Sequence, residues 1–113
     1  MLNQDHDLDR MFHALADHNR RAIIEQLSDT PAPVSELAEP LDISLPAVMQ
    51  HLAVLEACGL VRTHKTGRVR TCELDTAPLS QAERWIHARR RHWETQFDAL
   101  GHFLDKQQQG TKE

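Results

Sequence analysis

Arg62, Lys65, Arg68 and Arg70 fall within one short stretch of a 113-residue chain, with almost no acid around them. Across residues 43–72 these four bases stand against Glu56 alone, a net of +3. Residues 1–42 hold 9 acids and 3 bases, and residues 73–113 hold 7 acids and 6 bases, so the whole chain is formally −4. An acidic total argues weakly against a polyanionic partner, but a local basic stretch is what phosphate contact requires. Just upstream, Gln50 is the one side chain suited to a bidentate contact with adenine. Its neighbours Ser44, Leu45, Pro46, Met49, His51 and Ala53 are small or uncharged, a surface that fits a major groove.

Other chemistries are weaker. The sequence has no nucleophile–base pair, phosphate loop or metalloenzyme motif, so no enzyme is expected. Two cysteines make no disulfide framework. Cys58, before Gly59, reads as a small core residue. Cys72 reads as a partly exposed thiol near Arg70, and a Cys58–Cys72 redox switch is the alternative. Asp5-His6-Asp7-Asp9 reads as a frayed terminus rather than a ligand cluster, and His13 with Asp17 as an i,i+4 hydrogen-bonded pair. No apolar run is long enough to span a membrane. The N-terminus MLNQDHDLDR lacks an apolar core for export, so the expected setting is cytoplasmic.

The elements that must position these residues are mostly helical, and 1–113 reads as one domain. Leu8, Met11, Phe12 and Leu15 predict an amphipathic helix from about 8 to 16. Asp17 then caps a second helix, with Ile23, Ile24 and Leu27 inward and Ser28-Asp29-Thr30-Pro31-Ala32-Pro33 ending it. A short helix around Ser35–Glu39 is stopped by Pro40. Ser44 caps the next, with Pro46 in its first turn, Val48, Leu52 and Leu55 inward, and Gly59 closing it. Two helices joined by Leu41-Asp42-Ile43-Ser44 make a helix-turn-helix at about 34–58. Residues 60–74 read as a hairpin turning at Lys65-Thr66-Gly67-Arg68, a wing leaning on the helices. Ser80-Gln81-Ala82-Glu83 fits a capping box, opening a last helix at about 78–106. Its stripe of Ile86, Trp93, Phe97, Leu100 and Leu104 is longer than a single copy needs. Arg89-Arg90-Arg91, beside Trp85 and Trp93, reads as the solvated face of that helix rather than a nucleic-acid patch.

Two stretches, FHALADHNRRAIIEQL from Phe12 and VSELAEPLDISLPAVMQHLAVLEACGLV from Val34, resemble the ArsR-type winged helix-turn-helix transcriptional regulators. The hairpin VRTHKTGRVRTCEL and the tail WIHARRRHWETQFDALGHFL extend the likeness over nearly the whole chain, closest to a subgroup without the classical metal motif. The resemblance implies a mainly α fold with a small β-hairpin, dimerised through its first and last helices. It implies a homodimeric repressor on a palindromic double-stranded DNA operator. Ser44, Leu45, Pro46, Gln50, His51, Arg62, Lys65, Arg68 and Arg70 would meet DNA. Leu8, Met11, Phe12, Trp93, Phe97, Leu100 and Leu104 would meet the second copy.

The family's Asp-Pro-Thr-Arg-Arg becomes Asp17-His18-Asn19-Arg20-Arg21 here, keeping the cap and losing the proline. Asp42 stands where the turn commonly has glycine, and aspartate tolerates left-handed φ at small cost. Arsenic and cadmium sensors of the family carry cysteines on the helix before the turn, and Ser35–Glu39 has none. Zinc and nickel sensors use two histidines eleven positions apart on the last helix. Here His92 and His102 are ten apart, about 80° out of line, with Asp105 following. His87 and Asp98 are eleven apart, without a second histidine. No metal or cofactor is therefore expected, and a metal-responsive repressor would have to draw on His92, His102 and Asp105. A redox-responsive repressor of the same fold, or a winged-helix protein-interaction module without DNA binding, would also fit these elements. The effector stays open.

Overall fold

A computed structural model of the chain describes residues 4–110, with side chains from 6 to 108. Helix α1, Gln4–Leu15, starts four residues before the point where its apolar spacing begins. Helix α2 is His18–Asp29, and the Asp17 carboxylate accepts from the Asn19 and Arg20 amides as its cap. A short strand β1, Ala32–Pro33, leads into α3, Val34–Ala38. A 3-10 turn at Glu39–Leu41 follows, so Pro40 converts the helix end into a tighter turn instead of simply stopping it. Asp42 then adopts φ 53°, ψ 42°, the left-handed conformation expected of it.

Helix α4 is Leu45–Ala57, and the Ser44 hydroxyl accepts from the Ala47 amide at 3.3 Å. Its C-terminus closes as a Schellman motif. The Leu60 amide reaches the Leu55 carbonyl and the Gly59 amide reaches Glu56, both at 3.0 Å, with Gly59 at φ +81°. Strands β2, Val61–Thr66, and β3, Val69–Leu74, form the hairpin. The turn is shorter than the sequence suggested, because Thr66 and Val69 still pair and only Gly67-Arg68 bridges them. Gly67 at φ +63° supplies the positive φ that a two-residue turn needs at its first position.

The sheet has three strands in the order β1-β3-β2, all antiparallel. Strand β1 was not expected: two residues in a proline-rich run carry no alternation to read. Ala32 pairs with Cys72 and Pro33 with Thr71. Proline is tolerated there because β1 is an edge.

The last helix, α5, is Leu79–Gly110. Ser80 lies inside its first turn, so the expected capping box is not formed. Asp75 takes the Ala77 amide at 3.0 Å just ahead of the helix instead. The chain divides into two compact units, one ending at Ala82 and the other beginning at Glu83. The first unit has its own core, in which Ile23, Leu37, Val48, Leu52, Leu55 and Leu60 are buried. The second is the remaining length of α5, a single helix whose large apolar side chains are exposed. Among the described residues no helix is long and apolar enough to cross a membrane.

Candidate nucleic-acid interface

Helix α4 sorts its residues by side. Val48, Leu52 and Leu55, at spacings of four and three, are buried, and this fixes which face turns outward. Ser44, Leu45, Pro46, Met49, Gln50 and Ala53 are exposed on that face. Leu45 and Met49 remain 51% and 41% exposed, unusual for large apolar side chains on a helix that anchors a core. The outward row carries no charge, and Gln50 sits in its middle.

His51 does not join that row. Its ring is half-buried and turned toward α2, where Nδ1 lies 3.3 Å from Arg20 Nη1 and 3.9 Å from Asp17 Oδ1. The reason is helical geometry: His51 stands one step before buried Leu52 and is carried to the inner flank.

Sequence reasoning missed Arg20, the one charged residue buried in the described structure. Its Nε donates to the Ala14 carbonyl and its Nη2 to the His13 carbonyl, both at 2.9 Å. Arg21 Nη1 donates to Leu15 O at 2.7 Å. These are carbonyls of the last turn of α1, a helix end favourable to cations, and that of His13 also accepts the Ala16 amide at 3.2 Å. The Arg20-Arg21 pair, visible in the sequence, was the available signal. Asp17 closes the arrangement, accepting from amides of α2 and facing His51, not forming the pair with His13 that the spacing suggested. Burial raises the Asp17 carboxyl. The Arg20 and Asn19 amides, with the charge of Arg20 and that of His51 whenever its ring is protonated, outweigh that and hold it below its ordinary value.

The wing residues divide between two faces. Register places Lys65 opposite Arg70, on the face that holds Thr63 opposite buried Cys72 nearer the core. Arg70 Nη1 donates to Thr63 Oγ1 at 3.2 Å, which steadies it along the strand. Arg68 occupies the turn. Arg62 lies on the other face, opposite Glu73, with Nη2 3.7 Å from Asp75 Oδ2. Lys65, Arg68 and Arg70 thus gather toward the tip, and Arg62 stands apart among acids.

Cys72 is fully buried, correcting the expectation of a partly exposed thiol. Its β3 position turns inward between β1 and β2. Burial pushes the thiol pKa up, with Glu56 adding to the shift and Arg70 opposing it, so thiolate reactivity is suppressed. Cys58 is half-buried, and its Sγ donates to the Leu55 carbonyl.

Met11, assigned above to a subunit interface, is only 3% exposed and belongs to the core of its own chain. Leu8 and Phe12 are half-buried against that core. Trp93, Phe97, Leu100 and Leu104 are exposed on α5, Phe97 by 71%. His92, His102 and Asp105 are exposed on the same helix. Among the described residues no three His, Cys, Asp or Glu side chains gather as a metal site would need. The Asp5 side chain, part of the N-terminal acidic cluster, lies outside the described residues, and His6, Asp7 and Asp9 are exposed.

A helix-turn-helix domain family matches residues 15–64, the span from the end of α1 into β2. The chain is 47% identical over 72 residues to the HTH-type transcriptional regulator Rv2034 of Mycobacterium tuberculosis, covering 64% of this chain and 67% of that protein. It is 27% identical over 79 residues to the transcriptional repressor SdpR of Bacillus subtilis, covering 70% and 88%. Among solved structures, that of an ArsR-family transcriptional regulator superposes with a TM-score of 0.76 at 47% identity, covering 80% of this chain and 93% of that one.

Proposed function

This chain belongs to the ArsR-type winged helix-turn-helix transcriptional regulators, and from that premise we propose that it represses transcription as a homodimer on a palindromic operator. It is a DNA-binding regulator. The observation that carries the finer reading is the uncharged outward row of α4 beside a wing whose basic residues gather at its tip. A helix with that face enters the major groove, where Gln50 meets a base edge and Ser44, Leu45 and Pro46 approach the groove wall. Lys65, Arg68 and Arg70 hold phosphate, a contact that positions without reading sequence. Arg62 contributes less, because Glu73 and Asp75 already offset its charge.

The 1–113 chain works as one such unit, in the cytoplasm where its DNA is, and no catalytic step is assigned to it. The exposed stripe of α5 meets a second copy, and two-fold pairing sets the recognition helices about 34 Å apart, one turn of DNA. Leu8 and Phe12 extend that contact, while Met11 stays within its own core. A mobility shift on the DNA upstream of the chain's own gene tests the reading. A retarded band that competitor DNA of unrelated sequence does not remove is the expected result. Binding no tighter than to unrelated duplex would overturn it. Repeating the assay with zinc, EDTA or oxidant tests whether His92, His102 and Asp105, or Cys58, answer to a signal.

A further inference from the structure

We propose that His51 is a positioning residue for DNA recognition: its neutral Nδ1 seats α4 on the N-terminal end of α2, and protonation of that nitrogen undoes the seat. The inference rests on the reading of α4 as the recognition helix. Arg20 Nη1 stands 3.3 Å from Nδ1, and a guanidinium offers only donors, so the contact is a hydrogen bond only while Nδ1 keeps its lone pair. Arg20 is not free to turn away. It is buried, and its other nitrogens are fixed on the Ala14 and His13 carbonyls at the end of α1. The ring is therefore aligned against a point anchored in two helices. His51 directly follows Gln50, so a shift of the α4 backbone at His51 carries the outward row with it.

A proton on Nδ1 would set two cations at 3.3 Å and turn the ring toward Asp17 Oδ1, now 3.9 Å away. Asp17 already accepts from the Asn19 and Arg20 amides, so the new pair competes with the cap of α2. Asp17 and Arg20 are the charged groups that face the ring from α2. On α4 itself the neighbours three and four positions away are Ala47, Val48, Val54 and Leu55. Helix α1 contributes the His13 carbonyl through Arg20, and His13 itself is exposed.

The probe is duplex DNA recovered from a random pool by the full chain. Its affinity is measured for wild type, His51→Asn and His51→Ala at about pH 7.5 and 5.5, at one salt concentration. Asparagine sets a carbonyl oxygen near the place of Nδ1 and does not titrate. Wild type is expected to lose about fivefold in affinity on acidification, the worth of one hydrogen bond. His51→Asn should match wild type at the higher pH and lose less at the lower, and His51→Ala should be about fivefold weaker already at the higher pH. Equal acid losses in wild type and His51→Asn, or an alanine variant as tight as wild type, would overturn the proposal. Nitrogen-15 shifts of the ring in the DNA-free chain read the seat independently. An unprotonated Nδ1 at the higher pH is expected, and an Nδ1–H tautomer overturns it. If no duplex is enriched by wild type, the DNA reading fails first. The ring shifts then still decide the seat, as does melting of His51→Ala below His51→Asn, equal melting of the two counting against it.

Discussion

Arg68 and Arg62 carry the same charge a few residues apart on one hairpin, yet their surroundings assign them different weights. Arg68 occupies the turn with no ion pair among the described residues, whereas Arg62 faces Glu73 and lies 3.7 Å from Asp75. Arg68→Ala is expected to weaken binding to every duplex and to lower the salt slope by about 0.9, one phosphate's worth per protomer. Arg62→Ala should change the slope by less, and equal changes in titrations over a range of salt would refute the division. Gln50→Ala acts differently, costing about 1–3 kcal/mol and relaxing one operator position. Uniform weakening across a panel of single-base variants would count against direct readout. Asp17 gives a pH-dependent term. Its carboxyl is held below the ordinary value, so its contribution to stability is present above that value and is lost as pH falls through the depressed one. Asp17→Asn should therefore flatten the loss of melting temperature below about pH 4, and an unchanged acid limb would contradict the assignment.

Among the elements, the end of α4 is where backbone geometry leaves least freedom. Gly59 holds φ +81° in the Schellman motif, and a Cβ there would stand 3.3 Å from Pro78 Cγ. Gly59→Ala is expected to destabilise the chain by about 1–2 kcal/mol, read as a lower urea midpoint with unchanged slope. No change in midpoint would mean that the motif does not hold this corner. Gly59 was legible in the sequence because one residue type serves that conformation. The caps at Asp17 and Ser44 and the inward row Val48, Leu52 and Leu55 were legible for a similar reason: local spacing and side-chain chemistry determine them. Strand β1 was not legible, since its pairing is made by Cys72 and Thr71, about 40 residues away along the chain, and two residues show no period. The buried thiol of Cys72 was missed for a similar cause, because its burial comes from the core that distant elements build around β3. Which side chains turn outward was legible where a face follows from helical period, as with the exposure of Gln50. Placement was less legible where a partner lies on another helix, as with His51 and Arg20. Met11 is the same error in reverse: its apolar spacing shows that it is covered, but not by which chain.

At the scale of the whole molecule, the formal charge of −4 is unevenly placed, and that placement bears on assembly. Residues 43–72 carry a net +3 against −6 over residues 1–42, so on the proposed reading one copy offers a small basic tip and one recognition helix beside an acidic N-terminal segment. Two copies held in register would engage two half-sites together, raising affinity by the effective concentration that linkage supplies, without any added contact. On the proposed reading, the second unit is the means of linkage. Ile86, Trp93, Phe97, Leu100 and Leu104 follow spacings of seven, four, three and four, the seam of a helix that pairs with another helix. Each is about half exposed or more, a concentration of apolar surface that isolated soluble helices do not keep. Phe97→Glu puts a charge at the most exposed point of that seam while leaving the core of the first unit untouched. The expected result is a monomeric mass by light scattering at micromolar concentration, against a dimer for wild type. The helical circular dichroism of the first unit should persist, with operator affinity lower by about a hundredfold. A wild-type chain that is already monomeric would sink the dimer. A Phe97→Glu variant that stays dimeric would move the interface to another face, leaving the α5 stripe without a part in pairing.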